Sequence, residues 1–467
     1  MTRRRTRPAE GVSARTTAVR PDESPAGTVP GDVPSPAGRP TDERVPASPS
    51  DVEPAGRLRV ALYSHDALGL GHVRRNLAIA RALGTLDPAP DILLLTGAPE
   101  AVTADRPEHC DLVSLPALSK DATGVYSARH LSVDETHIRH MRRSILAAAL
   151  DSFRPDVLVV DKHPRGFLGE LEPALDLLRA AGTRIVLGLR DILDDAATAR
   201  REWRADRSDR ALRQWYDQVW VYGDRAVHDL AAELSLPAAR TVHTGYLAAG
   251  RCRVEQVTEV ETPYVLATVG GGADGAHLAE TFVRSAMPAG HHGVLVTGPQ
   301  MPTDDVHRIV DLAGTRSDLT VRTYVEDAEA LLAGASAVVS MGGYNTVCEA
   351  LALDRRLLVV PRVRPRREQL VRAELLAATG RLDHLHPDEL TPGALSSWLA
   401  GAIDAPAAPG PGPSSPSAAP GTGTAWPVGR RRPDGETHRS PVDLDGLGRL
   451  PQLLTALAPT RENHHVA

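Results

Sequence analysis

Residues 337–372 read AVVSMGGYNTVCEALALDRRLLVVPRVRPRREQLVR and decide the fold of this 467-residue chain. The stretch starts with an apolar run at 337–339, which is typical of a buried strand, and continues into a turn with two glycines at 342–343. A helix is expected at about 345–353, followed by a second apolar strand at 357–360 and a basic loop. A strand, a glycine turn and a helix start together favour an anion, because unpaired N–H groups and the helix dipole both attract negative charge.

Three side chains near this turn are suited to contact sugars. Glu349 lies one turn into the expected helix, and Glu368 and Gln369 lie in the loop after the second strand. The alternative for Glu349 is a capping box with Thr346, in which the glutamate only reaches back to the helix start. The two glycines could instead serve only close packing of the turn. The arginines could belong to a loop that is exposed to solvent. The order of the whole block is therefore a stronger signal than any single residue.

The motifs GGYNTVCEA and VPRVRPRREQLVRA resemble the C-terminal domain of family 28 glycosyltransferases. This family includes the GlcNAc transferase that completes lipid II, and the present sequence looks closest to a bacterial branch of it. The resemblance extends over about 59–400 and is strongest in the block quoted above. It implies a GT-B fold, in which two Rossmann-like domains face each other, and a UDP-sugar as the donor substrate.

The resemblance also implies which residues bind the donor. The diphosphate lies at the glycine turn and helix start, the helix glutamate binds the ribose, the next pair contacts the sugar, and a segment upstream holds the base through its backbone. The residues that match the diphosphate site are Gly342, Gly343, Asn345 and Thr346, and Glu349 matches the ribose contact. Glu368 and Gln369 match the sugar contacts, and Tyr324 and Val325 match the segment that holds the base. Gly271 belongs to the loop between the two sugars, where His277 replaces an arginine that is usual in the lipid II enzymes.

The rest of the chain alternates between apolar strands and amphipathic helices. Strands are expected at 58–63, 91–96, 112–115, 156–160, 185–189, 219–222, 264–269, 293–297 and 319–324, and helices at 73–83, 134–152, 168–181 and 226–234. Strands separated by helices predict parallel sheets covered on both faces. The pattern pauses near 245–251, so we predict two doubly wound α/β domains with ligands at the carboxyl ends of their strands.

Composition sets the domain boundaries. The first segment is rich in Pro, Arg, Thr and Ser without apolar periodicity, and a Pro/Gly/Ser-rich stretch interrupts the chain near its end. We predict a disordered tail at 1–56, an acceptor-side domain at 57–245, a nucleotide-sugar-binding domain at 246–402, a linker at 403–441 and a C-terminal helix at 442–460. Pro451 is expected to start this last helix rather than continue it.

Several classes of protein are excluded by composition. The arginines near the start precede no apolar core, so they form no signal peptide, and no run of about 20 apolar residues predicts a membrane span. A formal net charge of −6 gives no argument for nucleic acid. Cys110, Cys252 and Cys348 lie far apart in no metal spacing, which favours a reducing cytoplasm, with a peripheral position at the membrane as an option.

The N-terminal half carries the candidate acceptor side. Gly69, Gly71 and His72 follow the first strand and precede a helix, but the third glycine of a dinucleotide fingerprint is missing. His72 is the candidate catalytic base for an acceptor hydroxyl, and its alternative is a histidine that bonds the helix start. Asp161 and Asp191 end strands of the same half and are candidate acceptor contacts, or else helix caps.

Three functions are compatible with this sequence. The leading hypothesis is an inverting glycosyltransferase that moves a sugar, such as GlcNAc, from a UDP-sugar to an acceptor hydroxyl on a lipid, glycan or small molecule. No Asp-x-Asp pair ends a strand near the donor site, since Asp194-Asp195 belongs to a helix region, so we expect neither metal nor cofactor. The alternatives are a UDP-GlcNAc 2-epimerase, which needs no acceptor, and a sugar-nucleotide-binding partner without catalysis.

Overall fold

The computed structural model describes residues 57–65, 71–120, 126–248, 260, 263–325, 327–404 and 441–458. The tail predicted at 1–56 and the candidate residue Gly69 lie outside the described residues, as does the linker between 405 and 440. The described chain forms two parallel sheets with helices packed on them. The α/β class and the doubly wound arrangement expected from the sequence are therefore confirmed.

The first half forms a seven-stranded parallel sheet in the order β3-β2-β1-β6-β7-β8-β9. Its elements are β1 Arg59–Ser64, α1 Gly71–Leu83, β2 Asp91–Thr96, β3 Cys110–Ser114, β4 Leu118–Lys120, β5 Tyr126–Ala128, α2 Glu135–Phe153, β6 Val157–Asp161, α3 Glu172–Ala180, β7 Arg184–Arg190, α4 Ala196–Ala205, α5 Ser208–Trp215, β8 Gln218–Tyr222, α6 Leu230–Leu234 and β9 Thr241–His243. The central strands are apolar throughout because helices cover both faces of the sheet. A separate antiparallel pair joins β4 and β5.

The second half forms a six-stranded parallel sheet in the order β12-β11-β10-β13-β14-β15. Its elements are β10 Tyr264–Thr268, α7 Ala276–Arg284, β11 His292–Val296, α8 Thr303–Ala313, β12 Leu319–Arg322, α9 Ala328–Gly334, β13 Ala337–Ser340, α10 Tyr344–Ala352, β14 Leu357–Val359, α11 Glu368–Ala378, β15 Asp383–His384 and α12 Pro392–Asp404. We call the sheet of the first half sheet 1 and this one sheet 2.

Each sheet has a point where the strand order reverses. In sheet 1, β1 lies between β2 and β6, and in sheet 2, β10 lies between β11 and β13. The loops at the carboxyl ends of these neighbouring strands diverge to opposite faces and leave a crevice, where ligands of such folds bind. The start of α1 follows β1, and the start of α10 follows β13, so both helix starts lie at such points.

The chain returns to its first half at the C-terminus. Leu247 forms an antiparallel bridge with Asp445, and helix α13, Gly446–Leu457, packs against α1. Pro451 lies inside this helix, so the expectation that it starts the helix is wrong. A proline in a helix interior removes one hydrogen bond, and the apolar contact of α13 with the body offsets that loss.

Most strands and helices lie within a few residues of their expected positions, and the exceptions have local causes. The helix expected at 168–181 begins only at Glu172, because Leu168 adopts a φ of 46° in the left-handed region. The helix expected at 226–234 begins at Leu230. Only the start of α4, at Asp194-Asp195, was expected to be helical, and α5 was not predicted although Ala211, Leu212 and Trp215 are buried on it at helical spacing.

We predict that Leu450→Ala lowers the free energy of unfolding by about 2–5 kcal/mol, the range for a truncated core leucine. Leu450 is fully buried in the face of α13 that covers α1. Gln452→Ala, an exposed position of the same helix, is the control and should change stability little. Urea unfolding followed by circular dichroism measures both variants, and equal effects would contradict the packing role of α13.

Candidate functional site

The carboxyl ends of the two sheets meet at α1 and α10. The Asn345 side-chain amide donates a hydrogen bond to the carbonyl of Gly71 at 2.9 Å, which joins the first turns of the two helices. The hydroxyl of the neighbouring Tyr344 donates a hydrogen bond to the Tyr222 carbonyl at 2.8 Å. The same hydroxyl accepts a hydrogen bond from the Leu247 backbone N–H at 3.1 Å. Contacts between residues so far apart in sequence place the candidate base and the candidate donor turn at one crevice.

His72 is held by a buried carboxylate. It lies in the first turn of α1 with 16% of its side chain exposed, and its Nδ1 contacts Asp161 at the end of β6. Arg75 binds the same carboxylate from Nη2 at 2.7 and 2.5 Å. Burial alone would raise the pKa of Asp161, but Arg75 and His72 outweigh it and hold the pKa well below its ordinary value. An ionised carboxylate only accepts, so the Nδ1 proton points at Asp161, and the lone pair of the neutral ring lies on Nε2.

Asp161 itself is therefore not placed as an acceptor contact. It is 1% exposed, and both carboxylate oxygens already have partners within the protein. The geometry makes it a positioning residue for His72. The sequence also allowed Asp161 to cap the helix that follows it, but its carboxylate contacts Arg75 and His72 instead.

The start of α10 matches the expected anion site in its backbone. Gly343 is the N-cap residue and makes no side-chain cap, and a side chain at this position would point into open space. Gly342 adopts a φ of 77°, and a Cβ there would lie 2.5 Å from Val359, so only glycine fits this turn. Thr346 lies in the first turn of the helix rather than at its cap, so the capping-box interpretation of Glu349 is wrong.

Glu349 pairs with a residue of the first half. Its carboxylate is 2% exposed, and Oε1 accepts a hydrogen bond from Arg74 of α1 at 2.8 Å. A carboxylate of this kind can also accept from sugar hydroxyls, which approach as donors. The ribose role implied by the resemblance stays a prediction, and it now includes Arg74 as the neighbour that such a ligand would meet.

Asp191 is likewise engaged within the protein. Its carboxylate forms a bidentate ion pair with Arg372 of α11 at 2.8 and 2.7 Å, and both side chains are 1% exposed. Arg372 also donates to the Gly342 carbonyl at 3.2 Å. Asp191 is thus placed as part of a connection between the sheets, and not as the acceptor contact or helix cap that its position in sequence indicated.

Glu368 and Gln369 begin α11 beside the same crevice. The Gln369 side-chain oxygen accepts from the Arg362 backbone at 2.8 Å, and the Arg362 guanidinium donates to Glu368 Oε1 at 2.5 Å. The second oxygen of Glu368 is buried without a partner among the described residues. Burial would raise the pKa of Glu368, but Arg190 and Arg362 lower it overall, so this carboxylate stays ionised.

The remaining donor-side candidates lie on loops of sheet 2. The Gly271 carbonyl accepts from the Gln300 backbone at 2.7 Å, and a Cβ at 271 would lie 2.8 Å from the Gln300 side chain. The donor role of Gly271 stays a prediction, because the Gln300 side chain is flexible and could move away from a larger residue. Tyr324 and Val325 follow β12; Tyr324 is 59% exposed, whereas Val325 packs against the core.

Sequence analysis missed several charged and aromatic groups at the crevice. Arg372 escaped notice because its partner Asp191 lies 181 residues away. The His65 ring packs edge-on against His72 and His163, with ring centroids 5.1 Å apart for His65–His72 and 4.5 Å apart for His65–His163. Among the described residues, no group of three or more His, Cys, Asp or Glu is arranged to hold a metal ion. None of the described helices has the length and apolarity to cross a membrane.

The second half of the chain is similar in sequence to a known family, and the chain is similar in fold to solved structures. Residues 266–409 match the model of the glycosyltransferase family 28 C-terminal domain. No curated protein sequence matches the chain. Among solved structures, the glycotransferase of kitacinnamycin is similar with a TM-score of 0.54 and 17% identity, over 87% of this chain and 100% of that chain.

Two further solved structures are similar at lower identity. The S. aureus MnaA structure with UDP has a TM-score of 0.51 at 12% identity, over 74% of this chain and 88% of that chain. A Listeria monocytogenes protein described as a UDP-N-acetylglucosamine 2-epimerase has a TM-score of 0.51 at 11% identity, over 75% and 89%. At such identities the likeness establishes the fold alone, which is the two-sheet GT-B arrangement.

We predict that Asp191→Asn lowers the free energy of unfolding by about 3–5 kcal/mol, because the buried Arg372 guanidinium loses the carboxylate with which it forms its ion pair. Asp388→Asn, at a side chain that is 89% exposed, is the matched control and should change little. Urea unfolding of both variants measures the difference. A variant that keeps its stability and only binds acceptor more weakly would restore the acceptor role of Asp191.

Proposed function

We propose that this glycosyltransferase, which carries a family 28 C-terminal domain on a GT-B fold, transfers a hexose from UDP to a hydroxyl group of an acceptor. The observation that carries the proposal is the meeting of His72 and the α10 start at one crevice. The hydrogen bond from Asn345 to Gly71 ties the turn before His72 to the first turn of α10. A base and an anion site so close together suit a displacement in which one group loses a proton and another leaves as an anion.

In the proposed reaction the acceptor hydroxyl is activated by His72. Its proton passes to Nε2 while its oxygen forms a bond to the anomeric carbon of the donor sugar, and the bond from that carbon to the diphosphate oxygen breaks. The electron pair leaves with UDP. Because oxygen attacks opposite the leaving group, the anomeric configuration inverts. Asp161 fixes the orientation of the ring and stabilises the imidazolium that forms, as a buried carboxylate does beside other catalytic histidines.

The leaving diphosphate is stabilised at the start of α10. Backbone N–H groups at the first turn and the helix dipole are fixed before the reaction, so they stabilise developing negative charge without reorganisation. The proposed donor contacts are Gly342, Gly343, Asn345 and Thr346 for the diphosphate, Glu349 for the ribose, Tyr324 and Val325 for the base, and Glu368 and Gln369 for the sugar. The proposal uses no metal ion and no other cofactor.

The choice of UDP and of GlcNAc as the moved sugar follows the family resemblance alone. The loops of sheet 1 would select the acceptor, whether it is a lipid, a glycan or a small molecule. We place the reaction in the cytoplasm, with a peripheral position at the membrane for a lipid acceptor, because the three cysteines lie far apart in the sequence.

The alternative function is that of a UDP-GlcNAc 2-epimerase, because a protein with that description shares the fold. Incubation with UDP-GlcNAc alone separates the two reactions. An epimerase converts the sugar without any acceptor, whereas a transferase leaves it intact or hydrolyses it slowly. Formation of UDP-ManNAc in the absence of acceptor would replace our proposal.

We predict that His72→Ala lowers kcat by about 10²–10⁴-fold, the usual contribution of a general base, while UDP binding stays nearly unchanged. The donor is assigned to sheet 2, so loss of the imidazole removes proton transfer and no donor contact. His140→Ala, at an exposed histidine of α2, is the control and should keep full activity. Steady-state kinetics and calorimetric UDP titration measure both quantities. Full turnover in His72→Ala would remove the base from the mechanism.

We predict that Glu349→Gln weakens UDP binding by about ten- to a hundredfold, because hydrogen bonds to a charged group contribute about 1.5–3 kcal/mol. Arg74→Gln is the matched control, since it breaks the same ion pair but keeps the carboxylate. Calorimetry should find a much smaller loss in Arg74→Gln. Equal losses in both variants would mean that Glu349 acts only by pairing with Arg74.

A further inference from the structure

The crevice contains two buried polar atoms of opposite chemistry that lack a hydrogen-bond partner among the described residues. Oε2 of Glu368 is an acceptor, and this side chain is 7% exposed. Nε of Arg190 is a donor, and it is shielded from solvent. Glu368 begins α11 in the second half of the chain and Arg190 ends β7 in the first half, so each half contributes one of the two atoms.

Arg190 differs from Arg362, the arginine that contacts Glu368 directly. Arg362 binds Glu368 Oε1 at 2.5 Å and Asp274 at 3.0 Å, so two carboxylates of the protein satisfy it. No side-chain nitrogen of Arg190 forms a hydrogen bond or an ion pair with any residue that the structure describes. Native proteins rarely leave a buried donor or acceptor unpaired, because the loss of hydration is then not compensated. Glu368 Oε2 and Arg190 Nε are therefore expected to bind a group that the protein does not supply.

The two side chains lie near each other without direct contact. Burial raises the pKa of Glu368, but nearby arginines lower it overall, and Arg190 has a larger influence than Arg362. Since Arg362 touches the carboxylate, an influence of this size places the Arg190 guanidinium close to it as well. No hydrogen bond or ion pair joins Arg190 to Glu368, although the structure describes both residues. A small group between them can bind both.

The chemistry of the two atoms selects a hydroxyl group. An ionised carboxylate only accepts hydrogen bonds and a guanidinium only donates them, so the group between them must do both. A hydroxyl donates its proton to Glu368 Oε2 and accepts from Arg190 Nε through a lone pair. An anion in this position would be repelled by Glu368, and a cation would be repelled by Arg190.

The position of the two side chains lies between the parts of the proposed reaction. On the side of the leaving group, the residue after Arg190 pairs with Arg372, which donates to the Gly342 carbonyl at the proposed diphosphate site. On the side of the base, the charges of both side chains act on Lys162, which follows in sequence the carboxylate that holds His72. A sugar that leaves the diphosphate for a hydroxyl activated by His72 occupies the space between these two sides.

We propose that Arg190 and Glu368 together bind one hydroxyl group of the transferred sugar, which makes Arg190 a specificity residue for the donor. The inference rests on the proposed function, and it adds a contact from sheet 1 to donor contacts that otherwise all belong to the second half. A site built to bind a hydroxyl rejects an analogue without it, because the buried polar atoms then stay unpaired. The donor is therefore a hexose that keeps this hydroxyl, and not a sugar deoxygenated at that carbon.

Calorimetric titrations with UDP and with UDP-GlcNAc test the contact. Arg190→Met should bind UDP-GlcNAc about ten- to a hundredfold more weakly than the wild type does, which is the usual effect of one hydrogen bond to a charged group. Its affinity for UDP should stay within about twofold, because the nucleotide binds elsewhere, and this result also shows that the variant is folded. A parallel loss of UDP affinity would place Arg190 at the nucleotide and overturn the inference.

Arg184→Met is the matched control for this substitution. Arg184 begins the strand that Arg190 ends, and its side chain is 47% exposed at the opposite edge of sheet 1. The control should bind UDP and UDP-GlcNAc as the wild type does. Equal UDP-GlcNAc affinity in Arg190→Met, Arg184→Met and the wild type would overturn the inference.

Deoxygenated sugars identify the hydroxyl in the wild-type chain and need no variant to fold. One of the 3-deoxy, 4-deoxy and 6-deoxy analogues of UDP-GlcNAc should bind the wild type at least about tenfold more weakly than UDP-GlcNAc does. In Arg190→Met the loss for this analogue should be smaller, by about the factor that the substitution costs for UDP-GlcNAc itself, because one of the two hydrogen bonds is already absent. Full affinity for all three analogues, or losses of equal size in both proteins, would contradict the contact.

The wild type separates this inference from the proposed function. A wild type that binds UDP-GlcNAc without any dependence on Arg190 keeps the transferase proposal and overturns only the sugar contact. A wild type that binds neither UDP nor UDP-GlcNAc refutes the proposed function, and this inference with it.

Discussion

The ion pair between Asp191 and Arg372 is the interaction on which the arrangement of the crevice depends. It joins the residue after β7 to helix α11, so it connects the two sheets directly, and both side chains are 1% exposed. Arg372 extends the connection to the Gly342 carbonyl and lies 5.6 Å from the centre of the Tyr344 ring. Arg75 approaches the same ring to 5.8 Å. Tyr344 therefore lies between the arginine that holds the donor turn and the arginine that holds the carboxylate behind His72.

Much of the fold could be predicted because its signals are local. Apolar runs such as Val157–Asp161 are buried on both faces, and a parallel sheet needs that pattern. The glycine turn was recognisable from its two adjacent glycines, and at Gly342 a positive φ and close contact with Val359 admit no side chain. The weak points of the prediction were α5, whose buried face of Ala211, Leu212 and Trp215 was overlooked, and Pro451, whose neighbours in space decide its place.

The partners in the candidate site could not be predicted from spacing. Glu349 and Arg74 are 275 residues apart, and no short motif records that they meet. Asp161 and Asp191 were correctly placed at strand ends, yet their carboxylates face arginines of the protein instead of an open surface. Local sequence thus locates a crevice, whereas the charge balance within it is a property of the folded chain.

The bridge between Leu247 and Asp445 has a consequence for motion between the sheets. The chain leaves its first half beside Leu247 and enters it again beside Asp445, so both covalent crossings start from one spot. Two tethers that share an origin act as a single pivot. A hinge motion about this pivot would separate the groups nearest the pivot little and those farthest from it most. Tyr344, which contacts Leu247, lies close to that pivot and can keep its contacts while the rest of the crevice opens to admit a substrate.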